Sequence, residues 1–430
     1  MNSMAYRVWW QVYPLGFCGA PIRPQSNEER CIKPRLDRIV NWLDYMKDMG
    51  CDGLLLGPIF EADTHGYDTT DYYRIDPRLG DEASFNRLVN ACHERGIVLM
   101  LDGVFNHVGR KFPEFQRELQ RAQHEFRNGG SISHDNEDMF SFSRAGDGKL
   151  DYEKFEGHAI LPALNHRSSK VADLVVDVMT HWMARGVDAW RLDAAATVPS
   201  EFWAQVLPRI RRKKPDAWFM GEAIQSDYLQ LVKDSTMDSV TQYELWKAIW
   251  SSLKEENFYE LDWCLKRHND FLGTFVPQTF IGNHDVSRIA SLVEDEGKLA
   301  VAVALLFMLG GTPSIYYGDE RAWCGLKTDG VGGDDEVRPE YPDTPAGLSN
   351  QGDWMYRLIS QLAAVRQARP WIADASTKPV ILDNRHYVYD ICARNEEASL
   401  RVDISLDQRP HVDILKQGEA KPLLHVEHHT

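Results

Sequence analysis

The chain has 430 residues, of which 43% are hydrophobic and 26% charged, and carries a net charge of −16. This length holds one large domain plus a smaller one, with the ordinary composition of a globular enzyme. The negative charge is spread along the chain and basic clusters such as Arg211 to Lys214 are short, which argues against a nucleic-acid backbone or an anionic membrane as partner.

The N-terminus, MNSMAYRVWWQVYP, enters an apolar run at once, without the basic segment and long apolar stretch of a secretory leader. A cytoplasmic enzyme is the expectation. No run reaches the ~18 uninterrupted apolar residues of a membrane helix. The closest, LAVAVALLFMLGG at 299–311, reads as a buried helix. The seven cysteines are scattered and lack CxxC spacing, so neither a disulfide framework nor a zinc site is expected.

In chain order, strand-like runs fall at 6–13, 52–57, 97–105, 187–192, 218–223, 238–243, 276–281 and 313–317. Between them lie amphipathic segments such as 38–50, 85–96 and 170–186, each ending in glycine as helix C-termini often do. Such alternation predicts a parallel sheet, and eight repeats predict an α/β fold of the (β/α)8 TIM-barrel type. The spacing breaks at 108–165, a segment rich in Gly, His, Asp and Ser with little clear periodicity, which reads as a small inserted domain over the barrel mouth. After about residue 375, short alternating runs (PVILD, HYVYDICARN, LRVDISL, HVDILK) predict an antiparallel β domain. The expected division is therefore 1–107 with 166–375 for the barrel, 108–165 for the insert and 376–430 for the β domain. The histidines at 425, 428 and 429 read as a solvated tail.

Three carboxylates stand where predicted strands give way to loops: Asp193 in GVDAWRLDA, Glu222 in AWFMGEA and Asp285 in TFIGNHD. Arg191 lies two residues before Asp193, and His284 adjoins Asp285. Carboxylates sharing one cleft suit acid–base and covalent work at an acetal carbon, hence hydrolysis or transfer of a glycosyl group. On a strand, Arg191 faces the same side as Asp193, and its charge is expected to keep that carboxylate ionised. Glu222, after Trp218, Phe219 and Met220, is expected in a less compensated, apolar setting that raises its pKa.

The strand ends together resemble the α-amylase superfamily of glycoside hydrolases, family 13. The motifs, in order, are QVYP, HGYDTTDYYRIDPRLG, DGVFNH, GVDAWRLDA, GE, IGNHD and GTPSIYYGDE, with LPALNH closing the insert. The resemblance implies Asp193 as nucleophile, Glu222 as general acid/base and Asp285 as the carboxylate that grips the sugar's 2- and 3-hydroxyls. It implies substrate contacts from His107, His284 and Tyr67, with Arg191 beside the nucleophile and Asp102 supporting that network. Arg338, in DDEVRPEYP, matches segments that place an arginine near the substrate in oligosaccharide-acting relatives.

The implied activity is retaining hydrolysis of α-1,4-linked glucans or short malto-oligosaccharides. The alternative is a transglycosylase or isomerase of the same family acting on sucrose, trehalose or maltose. No cofactor is expected, and the oligosaccharide is the expected partner. Many α-amylases hold Ca²⁺ beside the equivalent of Asn106. The chain has Thr197 where a further ligand position is usually His, and the acidic residues of the insert (Asp135, Glu137, Asp138) form no alternating oxygen-ligand loop, so a structural calcium is not expected. A metal-dependent barrel hydrolase built on His65, Asp68, His107, His284 and Asp285 lacks an HxH pair on the first strand.

Overall fold

The computed structural model describes residues 3–128, 137–395 and 397–428. Eight short strands make one parallel sheet: β1 (Trp9–Val12), β2 (Gly53–Leu56), β3 (Val98–Gly103), β4 (Ala189–Leu192), β5 (Trp218–Gly221), β6 (Ser239–Val240), β7 (Gln278–Phe280) and β8 (Thr312–Tyr316). Their order is β6-β5-β4-β3-β2-β1-β8-β7. A parallel bridge between Thr241 and Gln278 joins the two ends, so the sheet closes into a barrel. Seven strands fall inside their expected windows, and β8 begins one residue early.

The main helices are α1 (Glu82–Glu94), α2 (Pro113–Arg127), α3 (Ser169–Met183), α4 (Ser200–Arg211), α5 (Tyr243–Lys254), α6 (Tyr259–Leu272), α7 (Glu296–Phe307) and α8 (Asp353–Gln367). The apolar run at 299–311 forms most of α7 and is buried throughout. The single helix expected at 38–50 is instead two short ones, Leu36–Val40 and Leu43–Asp48, parted at Asn41 and Trp42. An unexpected hairpin, Phe60–Ala62 with Thr69–Ile75, follows β2 and carries the Tyr67 loop.

Side chains alternate sides along a strand, so two layers stack inside the barrel. The lower layer is an apolar cluster of Met4, Trp9, Leu55, Met100, Ala189, Trp218 and Met220. Trp9 and Trp218 stack there with ring centroids 6.2 Å apart. Gly53 is required below, because a Cβ at that position would lie 2.6 Å from the Trp9 ring. Two residues further along the same strands come Gln11, Asp102, Arg191 and Glu222, all buried. That step of two turns an apolar plug into a polar floor.

Two readings of the sequence need correction. The 108–165 segment is not without periodicity, since α2 runs for 15 residues and buries Phe115, Leu119 and Ala122. A short hairpin, Phe142–Arg144 with Leu150–Tyr152, packs beside it. Asp135 lies outside the described residues. The C-terminal sheet has a fifth strand: β9 (Ser376–Leu382), β10 (His386–Cys392), β11 (Ser399–Ser405), β12 (His411–Lys416) and β13 (Leu424–Glu427), all antiparallel in sequence order. His425 therefore belongs to a strand, with Nδ1 2.8 Å from Asp413, and is no free tail. The His428 ring lies against that of Trp354, with centroids 4.2 Å apart and the planes tilted by 43°, while His429 lies outside the described residues. No described helix is long and apolar enough to cross a membrane.

Candidate active site

The side chains at the strand ends join into a closed hydrogen-bonded circuit. Arg191, at 3% exposure, is its hub. Its Nη1 lies 2.7 and 2.6 Å from the two Asp102 oxygens and 3.2 Å from Asp193 Oδ1, and its Nη2 lies 2.6 Å from Glu222 Oε1. From Glu222 the circuit runs outward through Tyr243, whose hydroxyl donates to Oε1 at 3.2 Å and accepts from Asn283 Nδ2 at 2.9 Å. Asn283 Oδ1 accepts from the Asp285 backbone amide at 2.8 Å. From Asp102 the return path passes through the Tyr67 hydroxyl, 3.1 Å away, which also contacts His284 Nε2. His284 Nε2 in turn lies 2.9 Å from Asp285 Oδ2. The circuit thus reaches Asp285 from both sides.

Each member is set by a local backbone feature. Asp193 and Glu222 sit just past β4 and β5, with Asp193 N bonded to Gly103 O at 3.0 Å and Glu222 N to Leu192 O at 2.8 Å. Ala194 takes a left-handed conformation (φ 46°) that aims its amide at Glu222 Oε2, 3.0 Å away. Gln11 on β1 donates to His284 Nδ1 at 3.2 Å, which leaves the ring proton on Nε2, facing Tyr67 and Asp285. The Tyr67 and His284 rings stack at 5.3 Å, 7° from parallel.

The electrostatics differ from the expectation at two carboxylates. Burial, then the nearby Glu222 charge, pushes Asp193 well above the usual carboxylate range, and Arg191 only partly offsets them. One guanidinium is shared among three carboxylates, so the arginine two residues away does not dominate as sequence spacing suggests. Glu222 is not in an uncompensated apolar setting either, because Arg191, Tyr243 and the Ala194 amide all contact it. Asp285 goes the other way. Burial opposes its ionisation, yet His284, Arg338 and Lys327 hold it well below the usual range.

Arg338 is a buried member of the site: Nη2 lies 2.8 Å from Asp285 Oδ1, Nε donates to His284 O at 3.0 Å, and the guanidinium lies 4.7 Å from the Tyr13 ring centroid. His107 is fully buried, its Nε2 donating to Tyr67 O at 2.9 Å and its ring stacking on Phe155 of the insert at 4.5 Å. Burial lowers its pKa to about 4, and Nδ1 has no hydrogen-bond partner among the described residues. It is therefore a neutral ring with a bare acceptor. All eight candidate residues, Asp193, Glu222, Asp285, Tyr67, His107, Arg191, His284 and Arg338, are joined by these direct contacts, His107 through Tyr67.

A model of the α-amylase catalytic domain matches residues 25–372. The chain belongs to this family. The cyclomaltodextrinase of Geobacillus thermopakistaniensis (strain MAS1) is 31% identical over 384 residues, 84% of this chain and 62% of that protein. Neopullulanase 2 of Thermoactinomyces vulgaris is 31% identical over 392 residues, 85% and 65% of the two chains. The chain thus spans just under two thirds of the length of these relatives. The maltose complex of the cyclic α-maltosyl-(1→6)-maltose hydrolase from Arthrobacter globiformis matches at a TM-score of 0.78 and 25% identity, covering 100% of both chains.

Family membership raises the question of calcium, and the donors near Asn106 do not fit it. Both Glu118 oxygens accept from the Met139 and Phe140 amides at 2.9 and 3.1 Å, and Asp138 pairs with Arg121. Thr197 is exposed and bonds back to Ala194 O at 2.7 Å. A cation seeking six to eight oxygens finds these committed. Among the described residues no group of three His, Cys, Asp or Glu side chains could hold a metal ion.

Sequence reasoning did not single out Gln11, Tyr13, Tyr243, Asn283 or Lys327 as site residues. Gln11 and Tyr13 lie in the QVYP motif, and Asn283 in IGNHD, so their signal was present at motif level. Tyr243 and Lys327 (3.9 Å from Asp285) carry no signal at a fixed offset.

Proposed function

We propose that this α-amylase family member is a retaining α-glucoside hydrolase that cleaves α-1,4-linked glucans or short malto-oligosaccharides by double displacement. The observation that carries this reading is the closed circuit linking Asp193, Glu222 and Asp285 from three separate strand ends. Asp193 attacks the anomeric carbon while Glu222 protonates the departing oxygen, giving a covalent glycosyl-enzyme. Glu222 then takes a proton from water, which displaces Asp193 and restores the α configuration.

This sequence needs one proton on the pair and no more. Burial, then the nearby Glu222 charge, raises the Asp193 pKa, and the mechanism requires the one proton of the pair to serve the leaving oxygen from Glu222. Asp285, held as an anion by His284 and Arg338, accepts from the sugar's hydroxyls as positive charge develops on the ring. His284, Tyr67 and His107 line the same ring position, and Arg338 fixes Asp285. Support for the substrate class comes from the names of the relatives, a cyclomaltodextrinase and a neopullulanase, and from the maltose-bound structural neighbour.

The test is an NMR time course on maltotriose, maltose, sucrose, trehalose and a cyclodextrin. The reading predicts α-configured glucose or maltose as the first product, from the malto-oligosaccharides or cyclodextrin. A β-anomer appearing first, or turnover only of sucrose or trehalose, contradicts it.

A further inference from the structure

Two ion pairs tie the loop after β7 to the loop after β8. The outer one, Asp285 with Arg338, belongs to the site described above. The inner one joins Arg288 Nη1 to Asp319 Oδ1 at 2.8 Å, and both side chains are buried. Arg288 follows Asp285 by three residues, and Asp319 follows the end of β8 by three.

Arg288 reaches across to the far end of the second loop. Its Nη2 donates at 3.0 Å to Val337 O, the carbonyl immediately before Arg338, and Tyr316 Oη donates to the same oxygen at 2.8 Å. On the other side of Arg338, Tyr317 Oη donates to Pro339 O at 2.9 Å. The Arg288 amide donates to Gly325 O at 3.0 Å, and its guanidinium lies 4.9 Å from the Tyr316 ring centroid. The peptide that carries Arg338 is thus clamped on both sides. The charged member of the clamp comes from the loop that carries Asp285.

The inner pair is poorly built for stability. Arg288 Nε and Asp319 Oδ2 have no hydrogen-bond partner among the described residues. Burial pushes the Asp319 carboxyl up to about 7, although Arg288 opposes this. Gly282 makes room for the bare oxygen, since a Cβ there would lie 2.2 Å from it. Buried, partly satisfied ion pairs can often be exchanged for apolar side chains without loss of stability, so what this pair provides is a fixed distance between two loops. A forked guanidinium holds a carboxylate with one nitrogen and a carbonyl with the other, a geometry that an ammonium cannot fix.

We propose that Arg288, anchored by Asp319, is a positioning residue that sets the placement of Arg338 and, through it, the orientation of Asp285. Its side chain is fully buried, so it acts only through its neighbours. The effect on turnover rests on the hydrolase reading above, whereas the effect on Arg338 rests on the loop geometry alone.

The first test is independent of any sugar. In a nitrogen–proton correlation spectrum of the full chain labelled on arginine, the Arg338 Nε–H signal is assigned by its loss in Arg338→Lys. It reports the 3.0 Å bond to His284 O. Arg288→Lys keeps the charge opposite Asp319 and gives up the fork, so this signal is expected to move toward that of a solvated arginine in a protein that remains folded. Asp319→Asn, near-isosteric where burial already works against the charge, is expected to move it the same way and carries the test if the lysine variant does not fold. An unmoved signal in a folded variant, or failure of both variants to fold, overturns the positioning role. The second test compares kcat/KM on maltotriose for Arg288→Lys, Arg338→Met and the double variant. Arg288→Lys is expected to lower kcat/KM about tenfold alone but less than about twofold when Arg338 is already replaced. Equal losses in both backgrounds overturn the proposal. A parent enzyme that does not cleave maltotriose removes the hydrolase reading and leaves the spectroscopic test to decide the placement of Arg338.

Discussion

Inside the barrel, the lower layer of Trp9, Leu55, Met100, Ala189, Trp218 and Met220 is apolar and tightly stacked, while two residues further along the same strands Gln11, Asp102, Arg191 and Glu222 are polar and hydrogen-bonded, with Asp193 two residues beyond Arg191. The lower layer contributes stability by removing aromatic and aliphatic surface from water. The upper layer places carboxylates where burial works against their charge and holds them there with one arginine and two tyrosines. The two layers should therefore respond to mutation in opposite currencies, one in stability and the other in turnover.

The largest separation is expected at Asp193. Asp193→Asn should lower kcat about 10⁴-fold. Because the fold raises the pKa of this group, folding works against its charge, so the variant should melt at the same temperature or higher. Paired melting curves and rates on maltotriose check both halves. A marked loss of stability would place Asp193 among the structural residues.

Trp218→Ala should show the mirror image. Opening a cavity in the lower layer is expected to cost about 3–5 kcal/mol in a urea titration, with kcat per folded molecule changed only a few-fold.

Within the upper layer, Asp193 and Asp285 provide a finer contrast. Asp285 has a depressed pKa, so its ionisation adds stability above the unfolded-state value near ~4, and that stability is lost as pH falls through the lowered folded-state value. Asp285→Asn should therefore be less stable than the parent at pH 7, by about 1 kcal/mol given its partly exposed side chain, and the gap should close as pH is taken below ~4. A gap that persists at low pH would show that the loss is one of packing.

The smallest effect is expected at Tyr243→Phe. It removes one neutral hydrogen bond to Glu222 and one from Asn283, which corresponds to roughly a fivefold drop in kcat/KM. A drop as large as that of Asp193→Asn would give Tyr243 a direct chemical role.

The barrel was legible because most of its strands lie in compact, largely apolar runs bounded by turn residues, and because a carboxylate just past such a run must stand at the barrel's C-terminal rim. The same-side placement of Arg191 and Asp193 followed from strand periodicity alone. What sequence could not show was that Arg191 also reaches Glu222 on the neighbouring strand, a consequence of lateral packing that reverses the expected compensation of the two carboxylates. In α2, Phe115, Leu119 and Ala122 do recur at helical spacing, but the surrounding polar and glycine-rich sequence masked the pattern. β13 was hidden for a related reason: its LHVE run is half polar, and it is held by pairing to β12 and by the His425–Asp413 contact.

The most direct measurement is to trap the covalent intermediate. A slow α-glucosyl fluoride substrate, fluorinated on the ring, should be given to the Glu222→Gln protein, and the digest mapped by mass spectrometry. The account predicts a single glucosyl adduct on Asp193. An adduct on Asp285, or on a residue outside the hydrogen-bonded circuit, would contradict it.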